Sequence, residues 1–124
     1  MSLRIYSLKN HGNAGQEYIC LDVLEDCNLG DYAIADSTYG EKGKVSNKWR
    51  HLYWFKNQAV KKNDFVVLYT RKGANTVRDF ERGTEKLTVK VYDLFWNSDA
   101  PIWNDDIDCA ALIRLSVVDS KKKD

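Results

Sequence analysis

Side chains that alternate apolar with polar at every second position, in short runs broken by turn residues, constrain this chain more than any other feature. A strand points successive side chains to opposite faces, so such a run buries one face and leaves the other to water. An amphipathic helix instead needs apolar residues at i, i+3, i+4 and i+7 behind a cap, and no stretch of helical length keeps that spacing. The pattern predicts an all-β chain.

The runs follow one another closely. Leu3 to Leu8 alternates and gives way to a turn-rich segment around Gly12 and Gly15. Residues 17–25 set Ile19, Leu21 and Val23 against Tyr18, Cys20 and Asp22, and residues 26–30 turn the chain. Residues 32–36 suit a half-buried strand. In residues 49–56, the most aromatic run, Leu52 and Trp54 oppose Tyr53 and Phe55. A polar turn of Lys61, Lys62, Asn63 and Asp64 launches Phe65 to Thr70, a continuous apolar run that reads as a central strand buried on both faces. Residues 71–84 are polar and contain Gly73 and Gly83, which predicts a long mobile loop. Residues 87–95 and 109–118 read as the last two strands. The expectation is an antiparallel β-sandwich of about seven to eight strands.

The chain's 124 residues make one domain, placed at 1–120, with a basic tail at 121–124. An apolar fraction of 44% beside 30% charged residues excludes a disordered chain. Cys20, Cys27 and Cys109 cannot all pair with one another, and no CxxC or Cys/His spacing suggests zinc. The opening residues lack the apolar run of a signal peptide, and no later run is long enough to span a bilayer. Free thiols in a reducing cytoplasmic compartment, away from membranes, are the expectation.

Charge is unevenly spread. Residues 1–40 carry two basic and six acidic side chains, whereas residues 41–90 carry thirteen basic and five acidic ones. Residues 91–124 return to an acidic excess, and the whole chain is nearly neutral at +1. The basic middle segment points to an acidic partner.

Three stretches carry a family resemblance. Glu17-Tyr18-Ile19-Cys20-Leu21 is followed by Leu29 to Asp36. The Tyr53-Trp54-Phe55 run leads through a lysine-rich turn into Asp64-Phe65-Val66-Val67-Leu68-Tyr69. The third is Ile102-Trp103-Asn104 through Asp108 to Leu112. In order and content these are similar to the lamin tail domain, an immunoglobulin-like β-sandwich family, over residues 17–118. Asn63 stands where that family's turn has a glycine, and asparagine tolerates the left-handed conformation such a turn requires. The resemblance implies a sandwich used for interaction and implies no reaction.

Candidate sites divide by chemistry. Lys48, Trp49, Arg50, His51 and Tyr53, extended by Arg71 and Lys72, set cations beside aromatics, as single-stranded nucleic acid binding requires. The competing reading is a core strand whose ends are guarded by charge. Asp105, Asp106 and Asp108 offer oxygen ligands for a hard cation, and hence a metal-dependent hydrolase. An EF-hand starting at Asn104 is excluded, because Cys109 and Leu115 stand where glycine and glutamate belong. A polar turn explains the same carboxylates. The two histidines, His11 and His51, stand apart from any nucleophile signature.

The expected function is therefore non-catalytic binding of a macromolecule, protein or nucleic acid, with no cofactor. Single-stranded nucleic acid binding and the hydrolase are the alternatives. Self-association is a further expectation, through the unpaired edge of residues 3–8.

Overall fold

The computed structural model of the chain describes residues 1–13, 15–38, 51–103 and 108–124. Among these, ten strands form three sheets, and the helical content is one 3₁₀ turn, Leu29–Asp31. The strands are β1 (Leu3–Lys9), β2 (Tyr18–Val23), β3 (Cys27–Asn28), β4 (Tyr32–Thr38) and β5 (His51–Trp54), then β6 (Ala59–Val60), β7 (Phe65–Tyr69), β8 (Thr76–Arg82), β9 (Leu87–Phe95) and β10 (Asp108–Arg114). No helix among the described residues is long and apolar enough to cross a membrane.

A five-stranded sheet runs in the order β1-β2-β7-β9-β8, a three-stranded sheet in the order β10-β4-β5, and β3 pairs with β6. Period-two burial does its work in both larger sheets. Ile19, Leu21, Val66, Leu68 and Tyr92 from the first meet Tyr32, Ile34 and Phe55 from the second strand system in one apolar cluster. Trp103 closes it, its indole N–H donating to the Cys109 carbonyl at 3.1 Å and its ring meeting Trp96 at 5.8 Å. Each fully buried Leu or Ile of such a cluster stabilises the fold by about 1.5–3 kcal/mol.

Two buried carboxylates tie strands together. Glu17, with no exposed surface, accepts from the backbone N–H groups of Gly12, Ile102 and Trp103 and from the Thr70 hydroxyl, at 2.8–3.1 Å. Asp64 accepts from Lys61 N–H at 2.9 Å and Lys90 N–H at 3.0 Å, joining the turn before β7 to β9. Asn63 in that turn has φ 80°, the left-handed conformation.

Several expectations need correction. Ten strands replace seven to eight, because β3 and β6 are two residues each, too short to display alternation. The pairing is not wholly antiparallel, since β7 and β9 run parallel. Residues 71–84 are not one long loop. They contain β8, whose side chains are nearly all exposed, so its sequence lacks the apolar alternation that marks a buried strand. Residues 32–36, in the middle strand of the smaller sheet, are buried on both faces rather than half-buried: Ala33 and Ala35 are as fully buried as Ile34, and their small side chains disguise it in the sequence. The last strand ends at Arg114, not at residue 118.

The parallel pair has a geometric origin. The chain leaves β7, arches over the end of β9's position, descends as β8 and returns as β9 between the two. The arch is tight: a Cβ on Gly73 would lie 2.4 Å from the Phe95 ring. The Asn97 side chain accepts from Gly73 N–H and the Asn75 side chain from Phe95 N–H, both at 3.0 Å. Gly83, at φ 75°, allows the β8–β9 hairpin to turn.

Candidate interaction surface

The sequence-predicted binding residues do not gather in one place. Lys48, Trp49 and Arg50 lie outside the described residues. His51 opens β5, where its Nδ1 is 3.2 Å from the buried Asp36 carboxylate and its backbone N–H donates to the same group at 2.6 Å. Tyr53 is half-buried between Phe55 and Trp96, at 5.2 and 5.6 Å, and burial pushes its hydroxyl pKa up. Its strand therefore faces inward through Tyr53, while Leu52 and Trp54 point out at 52% and 48% exposure. Arg71 and Lys72 lie instead at an end of the five-stranded sheet. Lys72 pairs with Asp99 at 2.7 Å in open solvent. Asp105 and Asp106 are also outside the described residues, and Asp108 begins β10.

Arg71 leads to a surface that its sequence neighbours did not suggest. Its guanidinium lies 4.3 Å over the Tyr69 ring and 5.3 Å from that of Phe95, and those two rings are stacked at 5.0 Å. Tyr18 adds a third ring, 5.7 Å from Tyr69. All three ring residues project from the side of the five-stranded sheet turned away from the core, hereafter the outer face. Cα pairing aligns them in one row, Tyr18 with Tyr69 and Tyr69 with Phe95. A second row runs Asp22, Phe65, Val91, Arg78. Between them lies a third, Cys20, Val67, Asp93, Thr76.

This face carries far more apolar and aromatic surface than a solvated face needs. Phe65 meets Tyr6 edge-on at 6.5 Å and Phe80 at 6.3 Å. Tyr6 follows Arg4 onto the outer face by alternation, at the point where the β1–β2 register shifts. Tyr6, Phe65 and Phe80 wall a shallow concavity of about 240 Å³, floored by Cys20, Val67 and Val91 with Arg78 at its rim. Tyr6 and Phe80 remain 65% and 43% exposed.

Arginines frame the concavity, each positioned by a buried acid. Asp22 accepts from Arg4 at 2.9 Å and from Arg82 at 3.2 Å, and Arg82 also donates to the Asn63 carbonyl and lies 4.3 Å over the Phe65 ring. Asp93 accepts from Arg78 Nε at 2.7 Å and from the Tyr69 hydroxyl at 3.4 Å. The hydrogen bond to Asp93 raises the Arg78 pKa further, and burial followed by Asp93 raises that of Tyr69. Burial, reinforced by Asp22 and opposed by Arg82, pushes the Cys20 thiol up, so it rests as a neutral, weakly nucleophilic group. A guanidinium has five N–H donors, and these buried acids engage only some of them. The side chains themselves stay half open to solvent, 53% exposed at Arg4 and 54% at Arg78.

Sequence reasoning missed this site because it rests on β8, read there as loop. The available signal was Arg78, Phe80 and Arg82 at period two. Among the described residues no group of three or more His, Cys, Asp or Glu side chains is arranged to hold a metal ion. Comparison with protein-family models, with curated proteins and with solved structures finds no match to this chain.

Proposed function

We propose that this chain is a non-catalytic interaction domain that holds a macromolecular ligand against the outer face of its five-stranded sheet. The observation that carries the reading is the apolar concavity of Tyr6, Phe65 and Phe80 framed by Arg4, Arg78 and Arg82. Tyr, Phe and Arg concentrate at recognition surfaces, the rings because they bring large contact area with few rotatable bonds and Arg because its planar guanidinium presents five donors. We read the two larger sheets as layers of an immunoglobulin-like sandwich, in keeping with the resemblance to lamin tail domains and with use in binding. Three thiols fit a reducing cytoplasmic setting.

The test is selection from a randomised peptide library and titration with labelled oligonucleotides, each repeated on Tyr6→Ala and Arg71→Ala. Ligands should be retained by the unaltered domain and lost by both variants, with an unchanged thermal midpoint showing that the exposed Tyr6 and the half-buried Arg71 are not needed for the fold. Retention indifferent to both substitutions, or turnover of small ester or phosphate substrates by the purified domain, would overturn the proposal.

A second reading is single-stranded nucleic acid binding, favoured by Arg71 over the stacked Tyr69 and Phe95 with Lys72 beside it. Its signature is affinity that falls steeply with salt as phosphates shed counterions. Passage through heparin at low salt without retardation would remove it.

A further inference from the structure

The outer face carries charge that its own acids do not cancel. Across its strands and the turn after β7 stand Arg4, Lys9, Arg71, Arg78 and Arg82, five cations against the two carboxylates Asp22 and Asp93. Lys9 belongs to this face because it pairs across to Tyr18. Both acids are buried and engaged by guanidinium groups, so what the face turns to water is cationic or apolar.

The excess of three charges is unevenly placed. Arg78 is cancelled by Asp93, while Arg4 and Arg82 share Asp22, which leaves one charge beside the Phe65 row. The other two belong to Lys9 and Arg71, along the Tyr18, Tyr69, Phe95 row at the opposite end. Among the described residues neither of these side chains makes an ion pair or a hydrogen bond. The two rows are four residues apart on β7, roughly 13 Å on an extended strand. The concavity opens on the Phe65 row and reaches through Cys20 and Val67 toward the Tyr69 row.

Resting on the proposed interaction role, we infer that the partner is an acidic segment of another protein, seated with one large apolar side chain in the concavity. Its carboxylates lie against Arg71 and Lys9 at one end and beside Arg4 at the other. A hollow of about 240 Å³ walled by rings takes a single anchoring side chain, and cations without partners favour acidic neighbours for that anchor. A second copy of the face is a poorer occupant, because it would set hollow against hollow and excess positive charge against its like. Nucleic acid is poorer too, because Arg82 covers the Phe65 ring and Arg71 the Tyr69 ring, removing faces on which bases would stack. An anionic bilayer takes up apolar side chains that protrude, whereas this face offers a recess.

The experiment uses the intact chain and a short fluorescent peptide of alternating glutamate and serine around one central phenylalanine. Companion probes replace every glutamate by glutamine, or the phenylalanine by alanine. Oligothymidylate and phosphatidylserine vesicles serve as separate probes. At low salt, anisotropy should show the glutamate peptide binding at least about tenfold more tightly than either companion. Arg71→Gln and Lys9→Gln should each weaken the glutamate peptide several-fold, leave the glutamine version unaffected and keep the thermal midpoint. Equal affinity for the glutamate and glutamine peptides, indifference to the phenylalanine, failure of the glutamate peptide to bind, or tighter binding of oligothymidylate or vesicles would each overturn the inference. If library-selected peptides are lost on Tyr6→Ala and Arg71→Ala yet carry no acidic excess, the outer face keeps its role and only the partner's chemistry falls.

Discussion

Glu17 shows how much one side chain can organise. A carboxylate withdrawn from water is costly unless its oxygens are satisfied, and here three backbone amides and one hydroxyl satisfy them. Replacing it by glutamine would turn one end of the group from acceptor to donor, facing N–H groups that have nowhere else to donate. Glu17→Gln should therefore cost about 2–4 kcal/mol of stability, measured by urea unfolding, despite its near-identical shape. Cys20 makes a different prediction. Its pKa is raised in the folded chain by burial and then by Asp22, so the folded state holds its proton at a pH where the unfolded state releases it. Stability from this group is thus complete below the ordinary thiol range and declines as pH rises through it. Alkylation of Cys20 by iodoacetamide should begin to accelerate only at a pH above that of an unburied cysteine.

At the scale of elements, legibility in the sequence follows burial. β2, β7 and β9 were plain because Ile19, Leu21, Val66, Leu68 and Val91 write their burial into alternation or continuous apolar runs. β8 was not, since an edge strand exposed along most of its length has no need of apolar spacing. The candidate site suffered accordingly. Arg71 and Lys72 were singled out by composition, but Tyr6, Phe65 and Phe80 come from three strands whose adjacency no local pattern encodes. The inward turn of Tyr53 was equally hidden, because both faces of β5 carry large apolar residues. The arch between β7 and β8 supplies this scale's prediction. Gly73→Ala would force the Phe95 ring from its place against Tyr69. The loss should be about 1–3 kcal/mol in thermal unfolding, with weakened ligand retention where Arg71 stacks on the same rings.

For the molecule as a whole, the core belongs to neither large sheet alone. Strands from both ends of the chain supply it, so the sheets should unfold together, with near- and far-ultraviolet circular dichroism tracing one transition. The placement of β9 between β7 and β8 adds an order of events. The ribosome delivers an outer strand before the strand that must slip inside it, so β8 cannot reach its final position by docking first. It has to wait for β9, and the local β8–β9 ribbon is the unit that seats on β7. Gly83→Val, which strains the ribbon's left-handed turn, should then slow refolding in stopped-flow fluorescence more than it hastens unfolding. The strand at the open end of the sheet is thereby also a late arrival, sharing its timetable with the concavity it helps to wall.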